Sequence, residues 1–522
     1  MLSKIYSAAI FGLEVISIEI ETDISNGLHS FNIVGLPDPS IKEAKQRVSA
    51  AIKNIGAKSP LRANRKITIN LAPTDIKKYG SHYDLAIALG YLLASKQMLA
   101  FNPEKKIFVG ELSLEGLVKP VRGILAIAMW AETEGYEYLF VPLQNAAEAA
   151  IAAKNLKVIG VKSLKEVVLF LENKINIRPY QKPDFLLDTP LPDCLDFSKI
   201  KGQQKAKRAL MIAASGCHNI LMIGPPGSGK TILAKAILSI LPKMNESECL
   251  EVTKIHSICG LLPASKPLIS QRPFQSPHHT TSSAALIGGG TWPTPGEITL
   301  AHRGVLFLDE LPEFKRDALE ALRQPLEEGF ISVSRVHGKV IYPAKFIFIG
   351  AMNPCPCGYF GDRQKECHCS PGEIIRYRKK ISGPLLDRID IIIEVPRLSF
   401  QEINSQKPLE SSASIQSKVT FAQKIQEQRF SKRNQRKKTS FPIYTNGEMD
   451  IDDIEEFCLV DQEGKNLLKQ AVSKYSLSPR SYHRILKISR TIADSENKEI
   501  IGSDEVAEAL QYKTDFSWDQ YY

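Results

Sequence analysis

Apolar positions in this chain change spacing several times, and the changes outline its parts. In the first 175 or so residues, Ile67–Leu71 and Ile107–Val109 are short apolar runs that predict strands. Ala86–Leu99 and Gly123–Ala131 carry helical spacing instead. Pro179, Pro183, Pro190 and Pro192 then crowd into one short stretch and mark a linker. Strand and helix patterns return from Ile200 to about Pro396, with apolar runs at Ile220–Ile223, Val305–Leu308 and Phe346–Ile349. Glu402–Lys418 is polar and has little periodicity, and the last 100 residues read as mostly helical, most clearly over Ala471–Asp494. The expected division is an N-terminal domain over 1–175, a Pro-rich linker over 176–199 and an α/β core over 200–400. A polar and basic linker over 401–440 and a helical region over 441–522 complete it.

Composition narrows the class. The 522 residues are 43% hydrophobic and 24% charged, which excludes disorder as the global state. The net charge of +10, from 67 basic and 57 acidic residues, permits an anionic partner such as nucleic acid without requiring one. No run reaches the roughly 18 to 20 apolar residues that a membrane helix needs, and the N-terminus lacks the pattern of a secretory signal. Nine cysteines, four of them clustered, fit a reduced compartment better than a disulfide framework. A cytoplasmic protein is the expectation.

The sharpest chemistry is a phosphate-binding loop, Gly224, Pro225, Pro226, Gly227, Ser228, Gly229, Lys230 and Thr231. It follows an apolar strand and precedes a helical run, the context this motif requires. Glycines turn backbone N–H groups toward the phosphates, and the helix N-terminus adds partial positive charge. Lys230 is expected at the β- and γ-phosphates of ATP, and Thr231 at Mg²⁺. Asp309 and Glu310 end the run Val305–Leu308, the edge where open α/β sheets bind ligands. Asp309 is the candidate for the Mg²⁺ shell, and Glu310 for orienting the attacking water. Asn353, after another apolar run, is a candidate to orient the same water.

These motifs, with Leu385–Asp390 behind them, resemble an AAA+ ATPase. The stretch Arg272–Thr280, the glycines from Gly288, and Pro295–Glu310 are similar to the magnesium-chelatase-like subgroup. From residue 1 to about 511 the chain resembles the YifB/ComM family within it. The resemblance implies an AAA+ P-loop core with a helical lid. It implies that Arg388 is an arginine finger entering a neighbouring subunit's site, which fits an Arg stabilising transition-state charge from outside. It also implies a second sensor at Arg480, with Arg484 as the alternative.

Three further features carry candidates. Ile331–Tyr342 alternates about His337-Gly338 and predicts a hairpin with Arg335, His337 and Lys339 near its tip. In related hexameric helicases such a hairpin lines the central pore and grips nucleic acid; a solvated tip is the alternative. Lys424–Lys438 holds seven basic residues against one acidic, either a phosphate contact or a solvated linker. Cys355, Cys357, Cys367 and Cys369 form two Cys-x-Cys pairs suited to structural Zn²⁺, with free thiols or redox chemistry as alternatives and His368 able to replace one thiol.

The N-terminal stretches Asn70–Leu85 and Val109–Gly123 resemble the Lon protease domain, an α+β fold like ribosomal protein S5 domain 2. Matched residue by residue, His82 falls on the Lon serine and Leu125 on its lysine, with Ser81 one position off. The Ser–Lys dyad is therefore missing. Taken together, the resemblance implies a ring-forming, hexameric, ATP- and Mg²⁺-dependent helicase. It would act on single-stranded or branched DNA during natural transformation, alongside recombination proteins. A magnesium-chelatase-like motor that remodels a protein partner is the alternative, and an ATP-dependent protease a weaker one.

Overall fold

A computed structural model describes all residues except 1, 61–64, 183–194, 264–265, 290–293, 336–337, 363, 405–408, 438–442, 476 and 515–522. The side chains of 334–335, 338, 403 and 513–514 also lie outside the described set.

The N-terminal part is built on a seven-stranded mixed sheet. Its order is Ser30–Val34, Arg65–Ala72, Glu14–Asn26, Leu2–Phe11, Lys106–Phe108, Tyr138–Pro142 and Lys157–Val161. Leu2–Phe11 and Glu14–Asn26 pair antiparallel along their length, and strict alternation buries Ile18, Ile20 and Ile24 on one face. Helix Asp84–Ala94 is buried nearly all round, so its near-continuous apolar sequence is that of a central element.

The second sheet has five strands, all parallel: Phe274–Gln275, Val305–Leu308, Ile347–Met352, Ile220–Ile223 and Ile391–Glu394. Ile220–Ile223, Val305–Leu308 and Ile347–Met352 are buried at every position, as parallel strands covered on both faces must be. Ile223 stands level with Met352, and Leu308 with Gly350. The residues that follow these strands, Gly224, Asp309 and Asn353, therefore emerge on one sheet edge.

One expectation needs correction. Residues 401–440 are not mainly a linker, because Ser412–Lys437 is one helix of 26 residues. Ile415, Val419, Ala422 and Phe430 are buried along it, and Ile415, Val419 and Phe430 join the same core as Ile220, Met222 and Phe307. Gln423 and Gln426 donate to the carbonyls of Ala214 and Ser215 at 2.9 and 3.1 Å, fixing it on helix Gln204–Gly216. The helical region expected most clearly over Ala471–Asp494 is divided between two helices, Gln462–Tyr475 and Pro479–Ser495. Ser478 caps the second by accepting from the Ser481 N–H, and Pro479 opens its first turn.

The Pro-rich stretch is docked at both described ends. The Tyr180 N–H donates to Val158 O at 2.8 Å, and Phe197 is fully buried in the second core. The two sheets are joined by direct contacts. The Gly123 N–H donates to Ser257 O at 3.1 Å, and a Cβ on Gly12 would lie 2.3 Å from Val340 of the hairpin.

Candidate nucleotide site and arginine pair

The phosphate loop runs from the end of strand Ile220–Ile223 into helix Lys230–Ala236. Gly229 precedes the helix at φ +92°, a conformation that L side chains rarely adopt. Gly224 is needed for another reason: a Cβ there would meet Val395 O at 2.1 Å. Lys230 Nζ donates to Gly224 O at 2.6 Å, to Pro225 O at 3.0 Å and to Asn353 Oδ1 at 3.3 Å. Burial lowers its pKa to about 8, against the opposing pull of Asp309 and Glu310.

Thr231 Oγ1 donates to Asp309 Oδ2 at 2.7 Å, so hydroxyl and carboxylate lie side by side as Mg²⁺ ligands would. Ser228 Oγ is buried inside the loop with no hydrogen-bond partner among the described residues. An orphaned donor in a ring of backbone N–H groups fits a phosphate oxygen. Glu310 follows at φ +51°, and its carboxylate lies 3.5 Å from His279 Nδ1. A cavity of about 440 Å³ beside it is lined by Glu310, Asn353, Pro356, Arg376 and Lys380, among others. The structure thus brings together the loop, Asp309, Glu310 and Asn353. His279 was not a candidate; the His278-His279 pair is visible in sequence, but its nearness to Glu310 comes only from the fold.

Arg388 and Arg480 meet elsewhere. Each bonds one carboxylate oxygen of Glu327, Arg388 to Oε2 and Arg480 to Oε1. Burial pushes the Glu327 carboxyl up, and the two guanidiniums outweigh it, holding it below its ordinary value. Glu327 and Arg480 line a different cavity, of about 900 Å³. Arg484, the alternative to Arg480, is committed to buried Asp390 and donates to Arg388 O at 2.7 Å. It therefore positions the chain at Arg388.

The four clustered cysteines also converge. Cys355 Sγ lies 3.3 Å from Cys357 Sγ and 3.6 Å from Cys367 Sγ, and all four sulfurs fall within 4.8 Å of one another.

The DNA candidates divide. The hairpin is formed by Phe330–Arg335 and Gly338–Pro343. Lys339 is exposed, His337 lies outside the described residues, and so does the Arg335 side chain. The basic run behaves differently. Arg429 bonds Asp494, Arg433 bonds Asp450 and Asp453, Arg436 bonds Glu456, and Lys437 bonds Asp450 and Asp453. Arg429 and Arg433 are committed to the buried Asp494 and Asp453, Lys437 joins the Asp450–Asp453 pair, Arg436 pairs at the surface, and Lys438 lies outside the described residues.

In the N-terminal domain, His82 is held at the Ala8 carbonyl by a 3.0 Å bond, and burial lowers its pKa to about 4. Leu125 is fully buried. Ser81 Oγ donates to the Glu111 carboxylate, while the buried Lys78 ammonium donates to Pro73 O. Neither pair is the serine–lysine couple of a protease.

Family comparisons agree with this layout. The model for magnesium chelatase, subunit ChlI, matches residues 196–403. That for subunit ChlI of Mg-chelatase matches 20–145, and that for the ChlI C-terminal part 409–513. Competence protein ComM of Haemophilus influenzae is 41% identical over 515 residues, covering 98% of this chain and 97% of ComM. The chain belongs to the ComM/YifB family. Uncharacterized protein YifB of Salmonella typhimurium is 40% identical over 514 residues, again covering 98% and 97%. The magnesium-chelatase 67 kDa subunit of Heliobacterium mobile is 25% identical over 266 residues, 44% of this chain and 39% of that one. As a member of this magnesium-chelatase-like ATPase family, the chain hydrolyses ATP. Among the described residues no helix is long and apolar enough to cross a membrane.

Proposed function

We propose that the chain is the subunit of a homo-hexameric AAA+ ring that uses ATP to drive DNA branch migration, with a lid from the C-terminal helices and a Lon-like N-terminal scaffold. The observation that carries the ring is the separation of its charges. Glu310 and Asn353 line one cavity, while Arg480 lines another with Glu327, which also holds Arg388. An arginine pair that does not serve its own chain's phosphates has a use at a neighbour's. The DNA substrate is supported by the full-length similarity to competence protein ComM and by the exposed Lys339 on the hairpin.

In this reading Lys230 and the loop N–H groups bind the β- and γ-phosphates, and Ser228 Oγ finds its missing partner there. Thr231 and Asp309 would hold Mg²⁺, which neutralises phosphate charge when bound. Glu310 orients and polarises the water, His279 tethers the Glu310 carboxylate, and Asn353 moves from Lys230 to the water or the γ-phosphate. Arg388 and Arg480 exchange Glu327 for the neighbour's γ-phosphate. Cys355, Cys357, Cys367 and Cys369 hold one zinc ion, and the purified protein is expected to carry about one zinc per chain.

The deciding experiment is ATP turnover without DNA and with single strands, duplex or a branched junction. Stimulation by single-stranded or branched DNA is expected, and a rate indifferent to every DNA removes the motor reading. A magnesium-chelatase-like remodelling role is favoured by one observation, the three ChlI models that together span most of the chain. ATP turnover that rises with porphyrin and not with DNA would select it.

A further inference from the structure

The cysteine segment contacts the nucleotide site at two points. It begins two residues after Asn353 and, over the described residues of 355–369, forms turns and bends but neither helix nor strand. Cys355 is buried, and the other three cysteines are half-buried. Backbone N–H groups point at the sulfurs: Phe360 donates to Cys355 Sγ at 3.3 Å and Cys357 to Cys369 Sγ at 3.4 Å. Tetrahedral zinc with bonds of about 2.3 Å spaces its sulfurs about 3.8 Å apart. The 3.3–3.6 Å separations are close to that spacing.

The first contact is at Gly358. Its φ is +86°, and a Cβ there would lie 2.7 Å from Pro226 Cδ and 3.8 Å from Asn353 Cγ. Arg397 reinforces it by donating to Pro226 O at 3.3 Å while pairing with Asp362 at 3.5 Å and covering the Tyr359 ring. The second is Pro356, which shares the 440 Å³ cavity with Glu310 and Asn353. One short segment thus touches the phosphate loop, the amide that bonds Lys230 and the cavity beside the water-orienting glutamate.

A segment without regular hydrogen bonding and with little apolar burial has a large conformational entropy to lose, and a four-coordinate ion is an effective restraint on it. We propose that the knuckle Cys355–Cys369 is a wall of the nucleotide site and that zinc held by its four thiolates sets the affinity for ATP by fixing that wall. The inference rests on the ATPase and zinc readings above and adds a coupling between them. Coupling of this kind is reciprocal: if zinc tightens ATP, ATP tightens zinc by the same factor.

The full-length protein tests this with a fluorescent ATP analogue. Zinc is removed by chelation and then restored, and zinc content is measured on each sample. Stripped protein is expected to bind the analogue about tenfold more weakly, recovering when zinc returns, and saturating ATP should tighten zinc about tenfold. Circular dichroism reports whether stripped protein stays folded. If it does not, Gly358→Ala decides, because it leaves the four thiols in place and pushes on Pro226. That variant is expected to keep one zinc and lose about tenfold in ATP affinity. Unchanged ATP affinity in zinc-loaded Gly358→Ala, or in folded stripped protein, overturns the coupling alone. A chain that never takes up zinc overturns the coupling together with the metal reading. Failure of every form to bind ATP overturns it together with the nucleotide reading.

Discussion

The phosphate-loop edge and the C-terminal helices both display charged side chains, but they hold them differently. At the loop, Lys230 leans on two carbonyls and an amide oxygen, and no carboxylate among the described residues bonds it. In helix Ser412–Lys437, Arg433 is clamped by Asp453 with both side chains buried. Arg388 and Arg480 stand between these extremes, since two guanidiniums share one carboxylate, Glu327, that is two-fifths exposed. The difference separates charge available to a phosphate from charge committed to the fold. A basic residue paired with a buried carboxylate is structural, and one held by a carboxylate that is itself open to solvent can be exchanged.

The strongest way to break this comparison is at the exchangeable pair. Arg388→Ala is expected to keep ATP binding and lose about 10³–10⁵-fold in turnover, the range of an arginine finger. Glu310→Gln should also bind ATP and slow hydrolysis by about 10²–10⁴-fold, the range of general-base loss. Because the proposed finger serves a neighbour, mixing the two variants should restore some activity at interfaces that pair an intact Arg388 with an intact Glu310. Normal turnover by Arg388→Ala alone would return this arginine to the structural class.

Next in size is the committed class. Arg433→Ala leaves buried Asp453 with Lys437 as its remaining cation, and the chain should lose about 3 kcal/mol of stability in denaturant titration, the low end for a broken buried pair. ATP and DNA binding by the folded fraction should be unchanged. A DNA affinity that falls in Arg433→Ala while stability holds would mean that the helix contacts phosphates after all.

How much of this could be read from the sequence follows from distance along the chain. The loop spans eight consecutive residues, and Asp309 and Asn353 each follow an apolar run, so strand ends alone bring them to one edge. The sharing of Glu327 by Arg388 and Arg480 has no local signal, because Glu327 lies 61 residues from one and 153 from the other. The basic run misled for the same reason. Its seven bases meet one acid locally, while the partners of Arg429 and Arg433 lie 65 and 20 residues further on. The helix carrying them was hidden because its buried stripe includes Ser412, Gln426 and Arg433, which are satisfied by hydrogen bonds and ion pairs.

A smaller effect sharpens the available class at the hairpin. Arg335→Ala with Lys339→Ala should reduce DNA-stimulated turnover while leaving basal ATPase nearly intact. Phosphate contacts release counterions, so the log–log salt dependence of DNA binding should become shallower by roughly one to two units. An unchanged slope with normal unwinding would put both residues among solvated charges.

The smallest effect is a pH dependence at Lys230 itself. Burial holds its pKa at about 8 before ATP binds. A lysine with a lowered folded pKa costs stability while it is charged, so in the absence of ATP that cost is full below about pH 8 and is relieved progressively as pH rises from about 8 toward the ordinary value of 10.5. Binding runs the other way. The phosphates favour the ammonium and raise its pKa, so ATP binding must take up a proton wherever free Lys230 is neutral. Affinity should be nearly flat below pH 7.5 and fall above about 8, by at most about tenfold per pH unit. Calorimetry at pH 8.5 in buffers of different ionisation enthalpy should give proton uptake of about three-quarters per ATP, and at pH 7 about one-tenth. Equal uptake at the two pH values would show that the ammonium is fully charged before the nucleotide arrives, and that the loop solvates it better than its burial implies.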